Sequence, residues 1–177
     1  AMVSAGDYHT CAIDTDGNVH CWGFNRDGQL GIGTEEDHRL RPAAVDTQLQ
    51  FTSVSAGYDH TCAVDTQGRA HCWGGNAMGQ LGAPAQTICE EDAPCSRSPV
   101  QVSGEHTWES VSVGDFHTCG LTPEDRAFCW GSNDNKQAGD PWAAEVTAPT
   151  QVGSVTTWRQ LALGQYHSCG GITPQVL

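Results

Sequence analysis

Short runs of alternating apolar and polar residues recur along the chain, and turn residues separate them. The first such pair of runs covers residues 9–13 and 18–23. Between them, Gly17 suits the left-handed position that a three-residue hairpin loop with a bulge requires. This loop places Cys11 opposite Cys21, and small or apolar side chains then meet at the neighbouring cross-strand positions as well. The pattern predicts a β-hairpin here and an all-β protein.

One ten-residue segment occurs four times, at residues 3–12, 54–63, 111–120 and 161–170. In the first three copies, Cys-Trp-Gly follows with its cysteine ten residues after the cysteine of the segment. The copies begin 51, 57 and 50 residues apart, and the longest interval indicates an insertion in the second unit. A period of about 50 residues with several short strands per unit is typical of propeller blades. We therefore divide the chain into repeats at residues 1–50, 51–107 and 108–157 and a partial repeat at 158–177.

The repeated string itself is long and specific. It reads Ala-Gly-x-x-His-Thr-x-Ala and, about 12 residues later, Trp-Gly-x-Asn-x-x-Gly-Gln-Leu-Gly, which the third unit degrades to Lys136-Gln137-Ala138-Gly139. This string resembles the repeat of the regulator of chromosome condensation family, over essentially the whole chain. The resemblance implies a β-propeller of the kind that usually has seven blades, of which this chain supplies about three and a half.

Three and a half blades do not close a ring, since propellers need at least about four. An open arc exposes sheet edges, which are prone to association. The chain is then a fragment of a longer protein, or one half of a homodimer that completes a ring of about seven blades, or an arc capped by another partner. We favour the fragment slightly and keep the homodimer as an expectation that a native mass measurement tests.

The nine cysteines divide into four pairs and one remainder. Three pairs face each other across predicted hairpins, where Cα separations of about 4.5–5.5 Å overlap the disulfide range, and a fourth pair closes a short loop. The predicted disulfides are Cys11–Cys21, Cys62–Cys72, Cys89–Cys95 and Cys119–Cys129, and Cys169 is left unpaired or bonded to another chain. Zinc held by His9, Cys11 and Cys21, or free buried thiols, are the alternatives. Disulfides predict an extracellular or periplasmic protein.

One histidine and one tryptophan recur at fixed positions of the repeat. Because a catalytic or metal site is normally unique, we expect the histidines to fix blade turns through hydrogen bonds to the backbone and the tryptophans to fill the blade cores. These residues are His9, His60, His117 and His167, and Trp22, Trp73 and Trp130. We find no nucleophile, phosphate-loop or zinc-protease motif of recognisable spacing and predict no catalytic, metal or cofactor site.

The charge balance is strongly acidic, with 8 Lys and Arg against 21 Asp and Glu and a formal net charge of −13. Such a surface repels phosphate backbones and anionic lipids, which argues against nucleic-acid and membrane-surface binding and favours a basic partner. Plain solubility is the simpler explanation of the acidity. No apolar run approaches the roughly 18 residues of a membrane span.

Three non-repeated segments are the candidate sites of specificity, because insertions in repeat proteins map to loops. They cover residues 34–39, 83–97 and 134–145. The candidate binding residues are Glu90, Glu91 and Asp92, in an acidic loop between two cysteines, and Trp142. A loop closed by a disulfide is preorganised, which lowers the ordering cost of binding.

These features favour a non-enzymatic, extracytoplasmic protein-interaction module that binds its partner through rim loops. A carbohydrate-binding propeller is the first alternative, because one aromatic residue occurs near the same loop of every unit. Those residues are Tyr8, Tyr58, Phe116 and Tyr166. A propeller enzyme and an exchange factor for a GTPase are further alternatives, the latter implied by the family resemblance.

Overall fold

The computed structural model describes residues 1–172, which form four antiparallel sheets. The first sheet contains β1 (Met2–Ala5), β2 (His9–Ile13), β3 (Val19–Phe24) and β4 (His38–Ala44). The second contains β5 (Phe51–Ala56), β6 (His60–Asp65), β7 (Ala70–Gly75), β9 (Pro94–Gln101) and, at its outer edge, β8 (Thr87–Ile88). The third contains β10 (Ser110–Val113), β11 (His117–Leu121), β12 (Ala127–Ser132) and β13 (Glu145–Gln151). The fourth pairs β14 (Trp158–Leu163) with β15 (Ser168–Ile172).

Each sheet falls within one of the four repeats identified in the sequence, so each repeat forms one blade, and the all-β propeller fold is confirmed. The last five residues of the partial repeat lie outside the described residues. A single 3-10 turn at Glu90–Asp92 is the only helical element among residues 1–172. No helix in this range is long and apolar enough to cross a membrane.

The hairpin registers are those that the sequence predicts. Cys11 pairs with Cys21, and the equivalent cysteines pair in the second and third blades. The ladder to the fourth strand then shifts register at the Trp-Gly pair, where Gly23 has a φ of 110°. A β-carbon at Gly23 would also lie 2.8 Å from the Cα of His9. The Trp-Gly pair therefore encodes a bulge that only glycine accommodates.

The hydrophobic cores lie between neighbouring blades. One core combines the disulfide of the first blade and Leu30 with Phe51, Val54 and Trp73 of the second. A second core joins the second and third blades in the same way. The first strands of successive blades contact one another, so they form the inner side of the arc.

Burial of the recurrent tryptophans depends on this stacking. Trp73 and Trp130 are fully buried, because each packs against the preceding blade. Trp22 is only half-buried, since no blade precedes it among the described residues. The core position of Trp73 and Trp130 agrees with the prediction, and a core position for Trp22 stays a prediction. The homodimer that would cover this side stays a prediction.

Candidate binding face

The four predicted cysteine pairs are bonded in the structure. The three cross-strand bridges have Cα separations of 4.1–4.2 Å, and the Cys89–Cys95 bridge has one of 5.8 Å. Cys169 is exposed and unbonded among residues 1–172. No group of three or more His, Cys, Asp or Glu side chains within this range is arranged to hold a metal ion.

A chain of hydrogen bonds joins the first blade to the second. His9 Nε2 lies 2.7 Å from Thr61 Oγ1 of the next blade, and this hydroxyl donates to the carbonyl oxygen of Gln29 at 2.8 Å. Trp73 Nε1 donates to the same carbonyl oxygen at 3.0 Å. Because the single hydroxyl proton of Thr61 points to Gln29, His9 donates from Nε2. The predicted backbone partner of His9 is therefore wrong, because His9 bonds a side-chain hydroxyl of the next blade.

The same relay recurs along the arc. His60 Nε2 lies 2.8 Å from Thr118 Oγ1, and His117 Nε2 lies 2.9 Å from Ser168 Oγ. His167 occupies the same repeat position but is exposed, because no blade follows it among the described residues. The repeated histidines therefore join blades, and their structural role exists only where a following blade is present.

Burial sets the protonation of two of these histidines. It lowers the pKa of His9 to about 4, with a further lowering from His60 nearby. Burial likewise lowers the pKa of His117 to about 4, with help from His60 and His167. Both imidazole rings are therefore neutral at neutral pH. A neutral imidazole still has one N–H, which is enough to donate to the hydroxyl of the next blade.

One end of the arc gathers the loops that differ between blades. Strands alternate in direction, so the loops after the first and third strands of each blade emerge at the same end. Aromatic rings from successive blades contact each other there: the centroid of Tyr58 lies 5.4 Å from that of Tyr8 and 5.2 Å from that of Phe116. We call this end of the arc the loop face. Tyr166 of the fourth blade is exposed.

The acidic loop of the second blade reaches back to the first blade on this face. Glu90 Oε2 accepts a hydrogen bond from Arg26 at 3.2 Å, and Arg97 lies 3.8 Å from Glu35. Two of the three variable segments, residues 34–39 and 83–97, are thereby brought together. Glu91 and Asp92 belong to the same 3-10 turn as Glu90.

Trp142 lies on a loop of the third blade and is 89% exposed. Its main-chain N–H and that of Ala143 both donate to Asp140 Oδ1, at 2.7 and 2.8 Å. These bonds lower the pKa of the Asp140 carboxyl, the one from Ala143 most. The turn therefore holds the main chain of Trp142 while its indole faces solvent.

Two adjoining cavities open on the loop face between the first two blades. The smaller, of about 240 Å³, is lined by Tyr8, Phe24, Asp27, Gln29 and Tyr58, and we call it the aromatic cavity. The larger, of about 310 Å³, shares three of these residues and adds Arg26, Asp59, Glu90 and Ala93. Sequence reasoning missed Phe24, Asp27 and Gln29, because each belongs to a segment that otherwise reads as repeat.

The electrostatic environment of this face is negative. Burial raises the pKa of Tyr58, and Tyr8, Asp59 and Asp27 raise it further. Burial also raises the pKa of the Asp115 carboxyl, with added repulsion from Asp7 and Asp59. The carboxylates of neighbouring blades are therefore close enough to oppose further negative charge and to favour a cation.

Comparison with known proteins places this geometry in a family. Sequence profiles of the regulator of chromosome condensation (RCC1) repeat match residues 16–64 and 67–121, and a second RCC1 repeat profile matches residues 51–80 and 108–137. Among curated relatives, the human probable E3 ubiquitin-protein ligase HERC6 is 33% identical over 141 residues, which cover 78% of this chain and 14% of HERC6. The ultraviolet-B receptor UVR8 of Arabidopsis thaliana is 31% identical over 140 residues, covering 78% of this chain and 31% of UVR8. The chain thus spans less than a third of the length of either relative.

Solved structures agree on the fold. Prp20p from Saccharomyces cerevisiae superposes with a TM-score of 0.84 at 20% identity, over 98% of this chain and 44% of that one. The ectodomain of the receptor kinase CR4 from Physcomitrella patens gives a TM-score of 0.59 at 23% identity, over 96% of this chain and 36% of that one. With profile matches over more than half of its length, the chain belongs to the regulator of chromosome condensation (RCC1) repeat family.

Proposed function

We propose that this chain is a non-enzymatic, extracytoplasmic protein-interaction module that binds its partner through the loop face. The observation that carries the proposal is the acidic loop closed by Cys89–Cys95 and held against the first blade by the Arg26–Glu90 contact. A loop fixed at both ends loses little conformational freedom on binding. Exposed ion pairs contribute little stability, so the contact serves to position the loop.

The disulfides support the extracytoplasmic part of the proposal. Three of them repeat the same cross-strand bridge in successive blades, and such bridges persist in oxidising compartments. The fold itself occurs in the ectodomain of the CR4 receptor kinase, so it is compatible with an extracellular setting.

Relatives support protein binding as the general use of the scaffold. A solved structure shows Kap60 bound to yeast RCC1 (Prp20), and Prp20p is described by its binding to Gsp1p and histones. This chain covers 44% of Prp20p in one structure and 42% in the other, so those partners are stated for Prp20p alone. The ligase named in HERC6 likewise belongs to a protein of which this chain matches 14%.

The proposal is tested by capture from an extracellular or periplasmic extract of the source, with the immobilised chain as bait and mass spectrometry as readout. Glu90→Ala combined with Asp92→Ala should remove the captured partner, because both changes lie in the closed loop. Glu124→Ala is the matched control, since Glu124 is an exposed carboxylate on a turn of the third blade. Equal recovery with all variants, or no reproducible partner, contradicts the proposal.

Two further measurements separate its parts. Intact mass of the natively expressed protein should be lower by two hydrogens per bridge, whereas a fully reduced mass contradicts the extracytoplasmic assignment. A glycan array tests the alternative that the exposed tyrosines bind sugar. Sugar binding that survives the double loop substitution, without any protein partner, would replace the proposed function.

A further inference from the structure

One polar atom of the aromatic cavity lacks a hydrogen-bond partner. Gln29 is fully buried and lines the cavity, and its Nε2 has no partner among the described residues. Its Oε1 accepts from the Asp27 main-chain N–H at 3.0 Å, which fixes the orientation of the amide. A buried donor without an acceptor is destabilising, so native proteins rarely leave one unless the site serves a ligand or water.

The equivalent glutamines of the other blades are satisfied. Gln80 Nε2 donates to Asp59 Oδ2 at 3.0 Å, and Gln137 Nε2 donates to Ser132 Oγ at 3.1 Å. In the first blade, Tyr8 stands at the position of Asp59 and Phe24 at the position of Ser132. Both acceptors are therefore replaced by aromatic rings in the same blade.

Main-chain geometry supports this equivalence. The carbonyl oxygen of Tyr8 accepts from Phe24 N at 2.9 Å, that of Asp59 from Gly75 N at 2.9 Å, and that of Phe116 from Ser132 N at 2.8 Å. The backbones of the three blades thus match here, and only the side chains differ. The first blade has exchanged an internal polar contact for a cavity with an aromatic wall.

The remaining walls suit a cation. Tyr8 lies 6.1 Å from Phe24 and 5.4 Å from Tyr58, centroid to centroid, so three rings surround the opening. Asp27 lines both cavities, and Asp59 and Glu90 line the larger one. Cations bind over aromatic faces, more strongly where carboxylates share the site.

The protein itself already places one guanidinium in this environment. The Cζ of Arg26 lies 5.6 Å from the centroid of Phe24, and the same guanidinium contacts Glu90 at 3.2 Å. Tyr8 and Tyr58 line the aromatic cavity, whereas Arg26 lines only the larger cavity beside it. The net charge of −13 adds long-range attraction for such a group.

We propose that the aromatic cavity binds a basic side chain of the partner protein, with its cation over Tyr8 and Tyr58 and an adjacent peptide carbonyl accepting a hydrogen bond from Gln29 Nε2. This inference rests on the proposed function, whose loop residue Glu90 borders the adjoining cavity. A neutral sugar would supply the acceptor that Gln29 lacks and could donate to the carboxylates, but it would gain no attraction from their charge. The charge therefore favours a polypeptide.

The experiment follows side-chain amide resonances of the intact chain by NMR while N-acetyl-arginine N-methylamide is added. This probe carries a guanidinium and a peptide carbonyl, and N-acetyl-citrulline N-methylamide is its uncharged counterpart of the same shape. The arginine probe should shift the Gln29 amide and leave that of Gln80, which is already paired with Asp59. The citrulline probe should bind at least about ten-fold more weakly, because it lacks the charge.

Variants localise the effect. Tyr58→Leu should weaken the arginine probe by about three- to thirty-fold, the range expected for loss of a cation–aromatic contact. Phe116→Leu is the matched control, because Phe116 contacts Tyr58 but does not line either cavity. Equal binding of both probes, equal shifts at Gln29 and Gln80, or a shift of Gln29 by methyl glucoside in place of the arginine probe overturns the inference.

Failure of this inference is distinguishable from failure of the proposed function. Capture of a partner that depends on Glu90 and Asp92, together with no shift of Gln29 by the arginine probe, refutes the cavity assignment alone. A shift of Gln29 without any captured protein leaves a site for basic groups but refutes the protein-interaction function.

Discussion

The bond between neighbouring blades can be tested by removing one hydroxyl. Thr61→Val replaces the hydroxyl of the relay by a methyl group of similar size, so the core keeps its volume. His9 Nε2 and the carbonyl of Gln29 then lose their shared partner, at 2.7 and 2.8 Å. Thr61 is fully buried, so water does not replace the hydroxyl without rearrangement.

The expected loss of stability depends on which hydrogen bonds remain after the hydroxyl of Thr61 is removed. The Gln29 carbonyl keeps Trp73 Nε1 at 3.0 Å, so it stays satisfied. His9 keeps no acceptor, and moving its proton to Nδ1 does not help, because Nδ1 also lacks a partner among residues 1–172. One buried unsatisfied donor costs about 1–3 kcal/mol, and we expect a loss of about 2 kcal/mol. For a chain of this size, that lowers Tm by about 4–8 °C.

The assay is urea and thermal unfolding followed by tryptophan fluorescence, which Trp73 reports from the interface between the first two blades. Thr10→Val is the matched control, since Thr10 occupies the same repeat position in a blade that no other precedes among the described residues. The control should change stability by less than about 0.5 kcal/mol. Equal losses in the two variants would show that the threonine acts within its own strand and would refute the relay.

Further changes test other features of the structure. The pKa of His9 and of His117 is about 4 in the folded protein and about 6.5 in the unfolded chain, so the unfolded state binds more protons between pH 6.5 and pH 4. The free energy of unfolding should therefore fall by about 3 kcal/mol per histidine as the pH drops through this window. Urea titrations at pH 7 and pH 4 measure this loss. His9→Gln should flatten that dependence, and an unchanged slope would contradict the assignment. Gly74→Ala should lower the free energy of unfolding by at least about 2 kcal/mol, because Gly74 has a φ of 108° and the adjacent strand leaves no room for a β-carbon. Thermal unfolding measures this loss, and unchanged stability would refute the bulge geometry. Tyr8→Asn should be more stable than Tyr8→Leu by about 1 kcal/mol, because both lose the ring contacts but only Asn supplies an acceptor to Gln29, and equal stability would mean that this amide is already satisfied.

The hairpins of this fold are readable from sequence because their determinants are local. The ten-residue spacing of Cys11 and Cys21 fixes a register in which both face each other, and the structure shows that register in three blades. The turn between them is set by Gly17, which has a φ of 86°. A one-residue slip would move each cysteine to the other face, so the pattern leaves a single solution.

Contacts between blades are not encoded in the same local way. His9 and Thr61 are separated by 52 positions, and nothing in either repeat shows which direction the imidazole takes. The sequence therefore predicts that the histidine is structural but does not predict its hydrogen-bond partner. Trp22 and Trp73 likewise occupy the same position of the repeat, although within residues 1–172 only Trp73 packs against a preceding blade.

The aromatic cavity, which was not predicted, coincides with a sequence difference between repeats. The first repeat reads Ala-Gly-Asp-Tyr-His where the second reads Ala-Gly-Tyr-Asp-His, so Tyr8 and Asp59 share one position. The consequence of this exchange needs the structure, because Gln29 lies 21 residues further along and meets that position only through the fold.

The relay and the cavity use different parts of one residue, and this separates stability from binding. The Gln29 carbonyl holds Thr61 and Trp73, and its Oε1 holds the main chain of Asp27, which leaves only Nε2 for an outside group. Substitutions at Tyr8 therefore change the cavity and remove one ring contact with Tyr58 of the second blade, but leave the hydrogen bonds to the Gln29 carbonyl intact. In the second blade the Nε2 of Gln80 is bonded to the Asp59 carboxylate, so it is not available to an outside group. In the first blade the internal acceptor is absent and a cavity lies beside Gln29, while the main-chain contacts that hold the arc together match those of the other blades.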